Sequence, residues 1–143
     1  MTSQPLVSII VPSYNVSKYI GDAIESVQSQ TYHNWELLVT DDASTDETCE
    51  IVESYIAKDS RISLYRLPSN MGAGVARNNS IAQAKGRYIA FLDADDWWYP
   101  NKLEKQLRFM QTKGCEFTFT AFEYADSSLT VLAMYIPVIS PTI

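Results

Sequence analysis

The stretch Tyr88 to Pro100, YIAFLDADDWWYP, places three carboxylates, Asp93, Asp95 and Asp96, directly after an apolar run and two tryptophans directly after the acids. Carboxylate oxygens are what hard divalent cations select. Mg²⁺ in particular is commonly held by one or two of them together with substrate phosphates, and Mn²⁺ suits the same donors. In extended chain, an i, i+2 spacing sends Asp93 and Asp95 to one side and Asp96 to the other. A second acidic pair, Asp41 and Asp42, ends another apolar run, WELLVT. A plainer account stands beside this one: an aspartate ahead of a helix caps it, and Asp95 or Asp96 stands shortly before a segment opened by Pro100. One acid suits that account. Three behind a buried-type strand, opposite a second acidic pair, favour a metal and ligand role. For Asp42 the same preference holds, because Ser44 is available as the cap of the following helix, while for Asp41 the ligand and structural readings stand even.

Other residues fit the same chemistry less specifically. Arg77 adds a permanent cation for a phosphate. Tyr14, after Pro12 in PSYN, offers a flat face for a nucleobase or simply fills space. Gly72 and Gly74 permit close backbone approach to a phosphate but equally serve an ordinary turn. Trp97 and Trp98 read as structural, since large aromatics mostly bury area. Cys49 and Cys115 lack CxxC spacing and read as reduced structural thiols. His33, in a polar turn, reads as a surface residue.

These groups need a scaffold, and the pattern supplies one. LVSIIVP is a short β-branched run ended by proline, a strand buried on both faces. Ile20, Ala23, Ile24 and Val27 then fall at helical spacing, with Ser17 as the expected N-cap. WELLVT is a second strand, and Ser44 with Glu47 has capping-box spacing before a helix carrying Val52, Tyr55 and Ile56. RISLYRL, a glycine-opened helix ending at Gly86, and RYIAFL continue the alternation. Leu103, Leu107 and Met110 mark a helix stopped by Gly114. CEFTFTAFEY, residues 115–124, alternates like a strand, ADSS reads as a turn, and LTVLAMYI as a partner strand ended by Pro137. The expected fold is a single three-layer α/β domain with a mainly parallel, Rossmann-like sheet and right-handed crossovers. In such sheets, ligands bind beyond the carboxyl ends of the strands. Pro12 to Asn15, Asp41 and Asp42, the loop PSNMGAG and Asp93 to Asp96 all fall on that rim.

Composition narrows the function classes. With 143 residues, 46% hydrophobic and 20% charged, the chain suits one globular domain, and no window is apolar for long enough to span a membrane. No basic leader opens it, so a cytoplasmic protein is expected. A formal charge of −6 argues against holding nucleic acid by phosphate contacts. The same charge is a puzzle for any anionic ligand, and a bound metal resolves it. Neither GxGxxG after the first strand nor GxxxxGK[ST] occurs. An EF-hand would need an oxygen ligand where Trp97 stands, and a phospho-acceptor receiver would carry its acidic pair after strand one.

VSIIVPSYNVSKYIGDAIESVQSQTYHNWELLVTDDASTDET, followed by NMGAGVARNNSIAQAKGRYIAFLDADDWWYPNKLEKQ, resembles the nucleotide-sugar-binding part of family 2 glycosyltransferases of the GT-A fold, from about Val7 to Met110. The resemblance implies that Pro12 and Tyr14 border the base, Tyr14 stacking on it, with Asp42, and Asp41 beside it, on the base side. Arg77 would approach the base or diphosphate. Asp93-Ala94-Asp95 matches the family's DxD motif, its first acid resembling a ribose contact and Asp95 the ligand of Mn²⁺ or Mg²⁺; Asp96 matches a position that is often acidic. The implied reaction is inverting transfer of a hexose from a nucleoside-diphosphate sugar, commonly a UDP sugar, to a saccharide or lipid-linked acceptor in cell-surface polysaccharide synthesis. The family's catalytic base lies downstream of residue 143, and neither Glu123 nor Asp126 matches it. The chain then reads as the donor-binding half. The alternative is a sugar-nucleotide-binding module that transfers nothing by itself. Peripheral membrane contact and self-association through an apolar edge near MYIPVISPTI are further expectations.

Overall fold

A computed structural model describes residues 4–126, 128 and 130–135. The order begins β1 (Val7–Ser13), α1 (Ile20–Gln28), β2 (Trp35–Asp41), α2 (Thr48–Ile56), β3 (Ile62–Arg66), α3 (Ala73–Gln83) and β4 (Tyr88–Phe91). It continues with α4 (Lys102–Lys113), β5 (Phe122–Ala125) and β6 (Val131–Tyr135). Two compact units result, Met1–Lys102 and Leu103–Ile143.

In the first unit the strands form one parallel sheet in the order β3-β2-β1-β4. β1 and β2 lie centrally, as their near-continuous apolar runs require: Ile9, Ile10, Leu37 and Val39 are wholly buried. Each such side chain contributes about 1.5–3 kcal/mol relative to exposure. From β1 the chain steps outward through α1 to β2 and through α2 to β3, then returns across the sheet through α3 to β4. With right-handed crossovers, that reversal puts α3 on the face opposite α1 and α2. The expected mainly parallel α/β fold is therefore what the chain adopts. Strand order reverses between β1 and β4, and open sheets of this kind bind ligands beyond the carboxyl ends of the strands at such a reversal.

Several local readings need correction. β4 is an edge strand that exposes Ile89 and Phe91, where the sequence suggested a buried one. α1 begins three residues beyond Ser17, whose N–H donates to Asp46 Oδ2 at 3.1 Å. α2 begins at Thr48 with no side-chain cap. Ser44 has turned back instead, its N–H and Oγ donating to Asp41 at 2.8 and 2.5 Å, because Ala43 takes φ +62° and folds the loop onto the preceding carboxylate.

At the opposite end of the sheet Gly86 is required by space. A Cβ there would sit 2.6 Å from Ser8 N and 2.8 Å from Leu6 O, and the Gly86 N–H donates to Ser8 Oγ at 2.8 Å. The close approach positions β4 beside β1.

The second unit holds α4, with Leu103, Leu107 and Met110 buried along one face, and an antiparallel β5–β6 ribbon. Gly114, at φ +63°, ends α4, and the Cys115 N–H returns to Met110 O at 3.2 Å, a Schellman closure. The alternating run 115–124 becomes strand only from Phe122; among the described residues, 117–121 pair with no strand that would make the alternation regular. Ser127 of the expected turn, and the end of LTVLAMYI with the apolar edge beyond it (136–143), lie outside the described residues. Among the described residues no helix is long and apolar enough to cross a membrane.

Candidate functional site

The rim is built from three loops whose parent strands are in register. Ser13 lies opposite Asp41, and Ile10 opposite Phe91, two residues short of Asp93 on the same path. PSYN, DDAS and LDADD therefore meet at one end of the sheet, with the N-terminus of α3 beside them.

The β1 and β2 loops are laced together. Asn15, in the left-handed region at φ +49°, donates its N–H to Ser44 Oγ at 2.9 Å and accepts from the Thr45 N–H at 2.8 Å. The Val16 N–H donates to Thr48 Oγ1 at 2.9 Å, and Asp46 accepts from Thr48 N and Oγ1 at 3.0 and 2.5 Å. Burial works against the Asp46 charge, but the hydrogen bonds from Thr48 and Ser17 outweigh it and bring its pKa down to about 2. Tyr14 projects from this braced loop, 45% exposed, with Pro12 half-buried beneath. Asn15, Ser44, Asp46 and Thr48 are positioning residues that spacing alone did not reveal. Their signal was the density of Asn, Ser, Thr and Asp, whose side chains bond nearby backbone.

Asp41 and Asp42 are both buried. Asp41 accepts from Ser13 Oγ at 3.1 Å and from Ser44, and it lies beside Cys49. Burial, then the hydrogen bond to Asp41, pushes the Cys49 thiol up to about 11, so it stays protonated and unreactive; neither Cys49 nor Cys115 is in a disulfide. Asp42 accepts from the Met71 N–H at 2.6 Å and the Gly72 N–H at 2.8 Å. Gly72, at φ +94° and ψ 154°, is in a region essentially closed to other residues and serves as N-cap of α3. Asp42 thereby sets the start of the helix that carries Arg77.

The acids after β4 are arranged otherwise. The strand ends at Phe91, and the Asp96 N–H donates to Asp93 O at 2.9 Å, so residues 93–96 form a turn with Asp95 at a corner. Strand alternation no longer sorts their side chains, and all three are exposed. Asp93 pairs with Arg77, Oδ1 to Nη2 at 2.6 Å. Asp95 and Asp96 accept no hydrogen bond among the described residues. Partial burial, then the charges of Asp95 and Asp93, hold the Asp96 carboxyl above its ordinary value. The turn is where excess negative charge collects.

Whether this donor set suits a divalent cation is a question of number. Among the described residues no three His, Cys, Asp or Glu side chains gather into a protein cage. A cage is not what Mg²⁺ or Mn²⁺ needs beside a diphosphate: one or two carboxylates suffice, phosphate oxygens and water completing the shell. Asp95, with Asp93, meets that requirement. Trp98 is buried, whereas Trp97 is 40% exposed. Asp126 does turn-building work, accepting from the Ser128 and Thr130 N–H groups at 2.9 and 3.0 Å.

The Glycosyl transferase family 2 model matches residues 8–136. The chain belongs to that family. Among curated relatives, the putative teichuronic acid biosynthesis glycosyltransferase TuaG of Bacillus subtilis is 47% identical over 133 residues, 93% of this chain and 53% of TuaG. WfgD of Escherichia coli, a UDP-Glc:alpha-D-GlcNAc-diphosphoundecaprenol beta-1,3-glucosyltransferase, is 46% identical over 88% of this chain and 49% of its own length. The chain thus spans about half the length of these relatives. Among solved structures, S. aureus TarS 1-349 with UDP aligns at TM-score 0.70 and 36% identity over 74% of this chain and 32% of that one. The mannosyltransferase PcManGT of Pyrobaculum calidifontis, with GDP-Man and Mn²⁺, aligns at 0.72 and 26% over 84% and 35%. The family 2 chain described here therefore has the GT-A fold of these transferases, and its named relatives are glycosyltransferases, TuaG being named for teichuronic acid biosynthesis.

Proposed function

We propose that this chain is a single donor-binding portion of an inverting, divalent-metal-dependent glycosyltransferase that uses a nucleoside-diphosphate sugar, most simply a UDP sugar. The observation that carries the reading is the contrast on the rim: Asp95 stands exposed and, among the described residues, without a partner on the turn beyond β4, beside the Arg77–Asp93 pair. Tyr14 stacks on the base above Pro12. Asp42, with lone pairs left on both oxygens, is the base-side acceptor, and Asp41 holds the loop beneath it. Asp93 meets the ribose, and Arg77 turns toward the diphosphate when Asp93 is so engaged. Asp95, with Asp93 at hand, would hold Mn²⁺ or Mg²⁺, which would supply positive charge for the leaving diphosphate. UDP in TarS, and GDP-Man with Mn²⁺ in PcManGT, support this choice of ligands.

The acceptor in this reading is a saccharide or lipid-linked sugar, as WfgD's name states for that enzyme, reached at the cytoplasmic face of a membrane. Its hydroxyl would lose its proton to a general base that no residue of this chain is assigned to be. Titration of UDP in the presence of Mn²⁺, then EDTA, then with Asp95→Ala tests the donor site. Saturable binding that needs both metal and Asp95 is expected, and metal-independent UDP binding would sink the assignment. A transfer assay with UDP-glucose then separates a working transferase from a module that only binds.

A further inference from the structure

Trp97, Trp98 and Tyr99 alternate as an extended segment does: the middle ring is buried and the outer two stand in solvent, Trp97 at 40% and Tyr99 at 52% exposure. The exposed rings meet edge to face, with centroids 4.9 Å apart and planes at 77°. Their backbone is pinned from below. Gln30, 1% exposed, donates Nε2 to Tyr99 O at 2.8 Å and to Ser26 O at 3.1 Å, and the Thr31 N–H donates to Pro100 O at 2.8 Å. Trp98 is anchored beneath, its ring 4.7 Å from the Lys102 ammonium. A chain that buries one aromatic here while holding two more half in water forgoes part of their burial.

The corner begins one residue after Asp96, so apolar faces and exposed carboxylates adjoin. Few ligands use both. A hexose ring does: its C–H face, slightly positive, packs on an aromatic plane, and its hydroxyls donate to carboxylates. We propose that Trp97 and Tyr99 form a saccharide platform at this rim, receiving a hexose ring of the donor or of the acceptor, with Gln30 as a positioning residue. The proposal rests on the glycosyl-transfer reading only for its choice of sugar.

The test follows the indole N–H resonances of Trp35, Trp97 and Trp98 in the full chain. The probes are methyl β-glucoside and methyl N-acetylglucosaminide, with and without UDP and Mn²⁺, and UDP-glucose against UDP. The Trp97 signal should move with sugar while those of Trp35 and Trp98 stay. Trp97→Ala and Tyr99→Ala should each weaken the sugar contribution about fivefold, leave UDP affinity within twofold, and be rescued by Trp97→Phe and Tyr99→Phe. A loss confined to the UDP-glucose increment assigns the donor hexose, and one confined to the methyl glycosides assigns the acceptor. A Trp97 signal blind to every sugar, or variants with wild-type sugar affinity, overturns the platform. If UDP fails to bind, the donor reading falls, and the methyl glycosides still decide the platform.

Discussion

Two acidic groups share this rim, and the protein uses them in opposite ways. Asp41 and Asp42 lie beneath the surface with their oxygens occupied by Ser13, Ser44, Met71 and Gly72. Asp93, Asp95 and Asp96 are exposed, and among the described residues only Asp93 has an ion-pair partner, Arg77. The lesson is that carboxylate density on a ligand rim does not measure ligand-binding capacity. A buried carboxylate that accepts backbone N–H groups acts first as architecture and keeps only its remaining lone pairs for a ligand. An exposed, partnerless carboxylate held on a tight turn keeps its charge available.

The comparison is tested most severely by truncating one acid from each group. Asp42→Ala orphans two backbone N–H groups and should cost about 3 kcal/mol of stability. Asp95→Ala should stay within about 0.5 kcal/mol of wild type in urea unfolding. Equal destabilisation by the two would erase the distinction. In binding the order changes: Asp95→Ala should weaken UDP with Mn²⁺ at least tenfold, about 1.4 kcal/mol, in a chain that is otherwise intact.

Ala43 sharpens the structural side, because its φ of +62° is costly for any residue with a Cβ. Ala43→Gly should raise stability by about 1 kcal/mol without touching a contact of Asp41 or Ser44. A thermal melt that shows a loss would mean that the loop is held differently.

The smallest effect concerns pH. Asp46 has its pKa lowered from 3.8 to about 2 by folding, so its contribution is present above about pH 4 and disappears as pH falls through 2. Asp46→Asn should cost about 1 kcal/mol at pH 7 and nearly nothing at pH 2, which denaturant midpoints at the two values will show. The Arg77–Asp93 pair is solvent-screened and should add under 1 kcal/mol to stability, so Arg77→Gln should register in nucleotide titrations and scarcely in melts.

Much of this was legible in the chain. The apolar run without alternation marked β1 as buried on both faces, and strand–helix alternation implied a mainly parallel sheet. The acids after RYIAFL were visible as a cluster, and the structure places Asp93, Asp95 and Asp96 on one turn. The capping readings failed at Ser17 and Ser44 because hydroxyls and carboxylates close in sequence had better partners in the neighbouring loop: Asp46 took the Ser17 N–H, and Asp41 took Ser44. β4 read as buried because Tyr-Ile-Ala-Phe is apolar, and composition carries no information about which strand ends a sheet.

What the sequence determined by itself, then, was local: where the chain is extended or helical, and which residue types gather after each strand, since period and turn chemistry act over a few neighbours. Tertiary structure alone decided which aspartates are spent on backbone donors and which remain exposed, and that Trp98 turns inward while Trp97 and Tyr99 face out. Those outcomes depend on the groups that distant segments bring within hydrogen-bond reach: Met71 and Gly72 for Asp42, and Gln30 for Tyr99.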